Sequence, residues 1–205
     1  MSTLLDPARR KRYDEQFAAI RQMPEPIPLG DRHKYSIEDV KNGAYIRFEG
    51  KSYRVESTNV YERSGYRWPE LVLYCLHDGE TRYTEWEKED EVSVYVSREK
   101  LSFAQVGLKG KEELWEISED EEGVARHGER VFRYHEDSAV TFYRNDGEQG
   151  VPFHQYLFAE EGSKAFIGIE EWGDEDDGYE HNVTLSEYLD PSAIEVLVAE
   201  DGKSA

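Results

Sequence analysis

Apolar and polar residues alternate with a period of two through most of the chain, the pattern of half-buried strands. Residues 44–48 and 52–61 alternate about a tight Glu49-Gly50 turn. Residues 70–76 and 81–87 flank Asp78-Gly79, a strong hairpin signal, and 92–96 reads as a further strand. Residues 97–103 read as a short capped helix or turn. In the second half, 114–117, 130–134, 139–143, 153–159 and 164–171 read as strands, with turns at Asn145-Asp146-Gly147 and Glu161-Gly162. Residues 184–189 read as a helical turn and 194–198 as a closing strand.

The start of the chain has a different period. Asp6 can cap a helix and Pro7 can open it, since the first helical N–H has no partner to lose. Good helix formers follow to Met23, with Tyr13, Phe17 and Ile20 marking a narrow apolar stripe. Pro24, Pro26 and Pro28 stop that helix and make an extended connector. Ser36, with Asp39 three residues on, predicts one capped turn ended by Gly43. The expected fold is therefore mainly β, a β-rich α+β chain. Its parts are an N-terminal helix and proline-rich connector (1–30), two similar antiparallel β units (31–108 and 109–200) and a tail (201–205).

The two halves invite comparison. Pro69 stands ten residues before Gly79 and Pro152 ten before Gly162, and each following strand ends in acid beside tryptophan: Glu85-Trp86-Glu87 and Glu170-Glu171-Trp172. Two explanations fit: an internal duplication, or hairpins of a kind that recurs in unrelated β proteins.

Composition narrows the function more than the fold. Lys and Arg number 25 against 45 Asp and Glu, a formal net charge of -20. Such a field repels nucleic acid and anionic lipid, so the expected partners are a protein or a cationic small molecule. Mean hydropathy is -0.83, yet 14 Tyr, 8 Phe and 4 Trp supply a core that a disordered chain lacks. Cys75 is the single cysteine and sits in an apolar run, where a buried inert thiol is expected. No leader and no apolar run of membrane length can be read, which gives a cytoplasmic expectation without an integral membrane segment. Peripheral association through Arg9, Arg10, Lys11 and Arg12 is the variant kept open.

Candidate chemistry is sparse. Acidic clusters gather around Glu85 to Glu91, Glu112 to Glu122 and Glu170 to Glu180. Asp174, Asp176 and Gly178 imitate a calcium loop, but Thr184 stands where that loop needs its last glutamate, so a solvated acidic hairpin is expected. The six histidines form no zinc spacing, and His154, Glu170 and His181 could meet only if their strands pair closely. No phosphate loop or nucleophile elbow is present. Catalytic residues, metal and cofactor are accordingly expected to be none. The candidate ligand-binding or partner-binding set is Glu85, Trp86, Glu87, Glu170, Glu171, Trp172, Asp174 and Asp176, because an indole beside carboxylates suits a cation. The competing explanation for Trp86 and Trp172 is simple core packing.

Val40-Lys41-Asn42-Gly43, Gly50-Lys51-Ser52-Tyr53-Arg54-Val55 and Trp68-Pro69-Glu70-Leu71-Val72-Leu73, with Phe153 to Tyr156 and Ile169-Glu170-Glu171-Trp172-Gly173 later, carry a resemblance. They resemble an uncharacterised bacterial family catalogued as domain of unknown function 4178, over roughly residues 36–198. The resemblance implies no catalytic residues. It implies gene neighbourhoods with polyamine synthesis or membrane stress, and hence an accessory or interaction role. The function expected is a non-enzymatic accessory protein that binds a cationic partner or ligand. The alternative is an enzyme of polyamine or related cation metabolism working through carboxylates in a groove.

Overall fold

The computed structural model describes residues 35–176 and 178–197. The expected helix over 6–22, its proline connector, Val198 and the tail lie outside the described residues. Among those described, eleven antiparallel strands form one sheet. They are β1 (Tyr45–Phe48), β2 (Lys51–Arg63), β3 (Tyr66–Cys75), β4 (Thr81–Lys88), β5 (Val92–Leu101) and β6 (Val124–His127). The rest are β7 (Arg130–Tyr143), β8 (Gly150–Glu160), β9 (Phe166–Asp174), β10 (Gly178–Leu189) and β11 (Glu195–Leu197). One α-helix, α1 (Lys111–Asp120), accompanies them. The mainly β expectation holds.

The strand order is β11-β1-β2-β3-β4-β5-β10-β9-β8-β7-β6, and β2 also pairs with β7. That extra seam sets Val60, Tyr61 and Glu62 against Tyr143, Phe142 and Thr141. It closes β2-β3-β4-β5-β10-β9-β8-β7 into a ring of eight strands. Rings of this size leave an interior that side chains fill, or that holds one small ligand.

Two compact units are drawn from interleaved segments. Unit 1 holds the described residues 35–58, 71–83 and 190–197. Here Ser36 accepts the Glu38 N–H and Asp39 accepts the Ser36 N–H, the expected capping box, although the turn ends at Val40 rather than Gly43. Strand β1 pairs with both β2 and β11, burying Ile46, Val55 and Val196. Cys75 is buried and free, as expected.

Unit 2 holds the described residues of 59–70 and 84–189, and so contains the closing seam with part or all of each of the eight ring strands. Several local expectations are corrected here. Residues 114–117 are helical, not extended: Leu114 and Ile117, three apart, are the buried pair on α1, and Glu112 and Glu113 suit its positive end. Residues 97–101 extend β5, with Arg98 as an extra residue between Ser97 (opposite Ser186) and Glu99 (opposite Leu185). Residues 184–189 are the end of β10, not a helical turn, because they ladder onto β5. The two strands expected at 130–134 and 139–143 are one, β7, interrupted by a bulge at His135. Helix α1 lays Leu114 and Ile117 on a core of Phe132, Phe158, Ile167 and Ile169.

Candidate functional site

Alternation along β9 assigns its side chains to two faces. Ile167, Ile169 and Glu171 join the α1 side, while Glu170 and Trp172 face the other way. That second face is the inside of the ring, because contacts cross between strands that are not neighbours. Tyr61 of β2 donates to Glu170 Oε1 of β9 at 3.4 Å and lies edge-on to Phe153 of β8.

A turn missed in the sequence places the rest. Ser64 and Gly65 take left-handed φ of 52° and 85°, the two-residue geometry that joins twisted strands tightly. Strand β3 therefore starts at Tyr66, and Trp68 and Glu70 lie beside Tyr61 and Asn59. Tyr61 stacks on Trp68 at 5.5 Å, and Trp172 stacks on Phe153 at 4.3 Å with Phe142 on its edge. These rings, with Val140, form a buried aromatic cluster.

Three carboxyl groups enter this cluster. Glu70 accepts Asn59 Nδ2–H at 2.8 Å and the Tyr61 hydroxyl at 3.2 Å. Glu85 accepts the Trp68 indole N–H at 2.9 Å, and Glu170 accepts that of Trp172 at 3.0 Å. Among the described residues no ion pair reaches any of the three; the cation that influences them is Lys100, acting on Glu170.

Burial moves their protonation. It pushes Glu70 up to about 7; the Asn59 and Tyr61 hydrogen bonds oppose the shift and the Glu170 charge adds to it. Glu85 rises to about 8 through burial and then the charge on Glu70, with Trp68 opposing. Glu170 is raised by burial against the bonds from Trp172, Asn182 and Tyr61. Burial also lifts the Tyr61 phenol well above its ordinary value.

Of the expected set, the ring brings together Glu85, Glu170 and Trp172. Glu87 lies two residues along the same face of β4, half-buried, and burial and the Glu89 charge raise it. Trp86 points to the opposite face of β4. Glu171 lies under α1, where it accepts the Trp115 indole N–H and pairs with His181 Nε2, both at 2.9 Å. Asp174 and Asp176 are exposed at the β9–β10 hairpin, where Asp174 accepts the Asp176 N–H. His154 pairs with Asp137 and His181 with Glu171, while Glu170 faces inward, so those three do not converge. Ser118 donates to Asp137 rather than to His154, which leaves no serine–histidine relay there. Among the described residues no group of three histidines, cysteines or carboxylates could hold a metal.

Sequence reasoning missed Glu70, Asn59, Tyr61 and Trp68 as site residues. The available signal was Glu70 itself, a lone carboxylate in Trp68-Pro69-Glu70-Leu71-Val72-Leu73.

Among the described residues no helix is long and apolar enough to cross a membrane. No curated protein and no solved structure matches the chain. The model of one family, described as a domain of unknown function (DUF4178), matches residues 41–191, and the chain belongs to that family.

Proposed function

We propose that the interior of the ring in unit 2 is a chamber for a small organic cation bearing N–H donors, and that the chain is a non-enzymatic cytoplasmic accessory protein built around it. The supporting observation is the trio Glu70, Glu85 and Glu170, whose hydrogen-bond donors are uncharged and which make no ion pair among the described residues, Lys100 acting on Glu170 alone. Carboxyls so placed hold protons until a cation replaces them. The ligand class follows from which atoms the chamber offers. Trp172 and Trp68 spend ring faces on Phe153 and Tyr61. A quaternary ammonium needs open ring faces. A primary ammonium needs acceptors, and carboxylate oxygens supply them. The charge of -20 adds a long-range pull on the same class of ligand and on basic protein surfaces.

A second reading, an enzyme using these carboxyls as acid and base, is favoured by one observation: Glu70 at about 7 and Glu85 at about 8 both titrate near neutrality. Calorimetry with propylamine, tetramethylammonium and calcium tests the first reading. Propylamine alone is expected to bind, with proton release, and Glu85→Gln should weaken it on the order of tenfold. Absence of propylamine binding refutes the chamber. Consumption of the bound amine, abolished by Glu85→Gln, would select the enzyme.

A further inference from the structure

Asn59 stands one residue before the β2–β7 seam, and its amide serves two structures at once. Its Nδ2 donates to Glu70 Oε1 at 2.8 Å, and its Oδ1 accepts the backbone N–H of Asn145 at 3.1 Å. Asn145 is the middle residue of the Arg144–Asp146 turn between β7 and β8, where it and Asp146 both take left-handed φ, 54° and 51°. Arg67 holds the same turn from β3, through Asp146 at 2.9 Å and over the Tyr143 ring at 5.0 Å. The seam beside this turn has three residue pairs, against eleven between β7 and β8, so it is a short closure for a ring. Asn59 is only 7% exposed, so water does not readily replace either of its bonds.

We infer that Asn59 is the positioning residue of the chamber: it ties Glu70 to the β7–β8 turn, so that movement of the turn at the seam reorients Glu70 and changes its hold on a cationic ligand. The inference rests on the chamber reading for its ligand, but the tie itself is a property of the empty protein. Glu70 is faced by the Tyr61 hydroxyl from β2 and feels Glu85 from β4 and Glu170 from β9, while Lys100 of β5 acts on Glu170. None of these contacts the turn residue Asn145, whereas Asn59 does. Asn59 is thus the residue that bonds both Glu70 and Asn145, while Arg67 of β3 holds the same turn at Asp146.

The test is an NMR pH titration of the full chain, following the Glu70 carboxyl carbon and the Asn145 amide. In the wild type the Asn145 amide should shift with the same midpoint as Glu70, and Glu70→Gln should remove that step. Asn59→Ala should also remove it and raise the proton affinity of Glu70 about tenfold, since a donor to the ionised form is lost. An Asn145 amide that stays flat while Glu70 titrates overturns the inference, and so does an unchanged Glu70 midpoint in Asn59→Ala. Should Asn59→Ala fail to fold, the wild type and Glu70→Gln decide the matter alone. Propylamine is added last. A coupled titration without amine binding refutes the chamber but leaves the tie, and amine binding with a flat Asn145 refutes the tie but leaves the chamber.

Discussion

A carboxyl group inside a ring of strands must be protonated, hydrogen-bonded or matched by a cation. Glu85 has one indole donor and three carboxyl neighbours, Glu70, Glu170 and Glu87, and burial keeps its proton on to about 8. Its ordinary value of 4.5 is what the unfolded chain regains. The folded state thus binds this proton more tightly. Its contribution is whole below about 4.5 and is lost as the pH rises towards about 8. Glu85→Gln keeps an acceptor for Trp68 and has no charge to bury. It should be the more stable protein at about pH 8, by on the order of 4 kcal/mol, and roughly equal to wild type at about pH 4. Urea unfolding of both proteins across that range gives the difference directly. A gap that stays constant with pH would mean that Glu85 ionises freely in the fold. At this scale the sequence was half legible. Alternation separates Glu170 from Glu171, but nothing in one strand tells which face closes into a ring.

At the scale of elements, α1 shows where periodicity misleads. Leu114-Trp115-Glu116-Ile117 has too few residues to distinguish a period of two from one of 3.6, and the acidic residues around it carry no pattern. The helix is decided by tertiary contacts: Leu114 and Ile117 on the sheet, Trp115 to Glu171 and Ser118 to Asp137. Bulges hid the other elements. His135 breaks the alternation of β7 into two apparent strands, and Arg98 does the same to the end of β5. The hairpins at Glu49-Gly50 and Asp78-Gly79 were readable because turn chemistry is local. Trp115→Phe keeps an aromatic ring but removes the pyrrole half of the indole with its N–H donor to the buried Glu171, and should cost about 1–2 kcal/mol. Hydrogen exchange locates that loss. Amides of α1 should exchange faster while those of Ile167 and Ile169 keep their protection. Equal acceleration in both would mean that α1 and the sheet open as one unit, without the Trp115 latch.

For the whole molecule, the strong negative charge and the closed ring bear on different rates. A field from 45 acidic against 25 basic residues draws a cation from beyond contact distance, and salt screens it over about 10 Å at 0.1 M. Inside the ring, by contrast, the ligand would meet Glu70, Glu85 and Glu170 at hydrogen-bonding range, where contact pairs are screened less than charges on the open surface. Escape should depend on those bonds and on the opening of the ring. Trp68 and Trp172 belong to the aromatic cluster beside these carboxyls, so their fluorescence should follow binding in stopped flow. Between about 0.02 and 0.5 M salt the association rate of propylamine should fall about tenfold and the dissociation rate should hardly change. The opposite division, a constant association rate with faster escape in salt, would place the amine on the solvated acidic surface around Asp174 and Asp176 instead of within the ring.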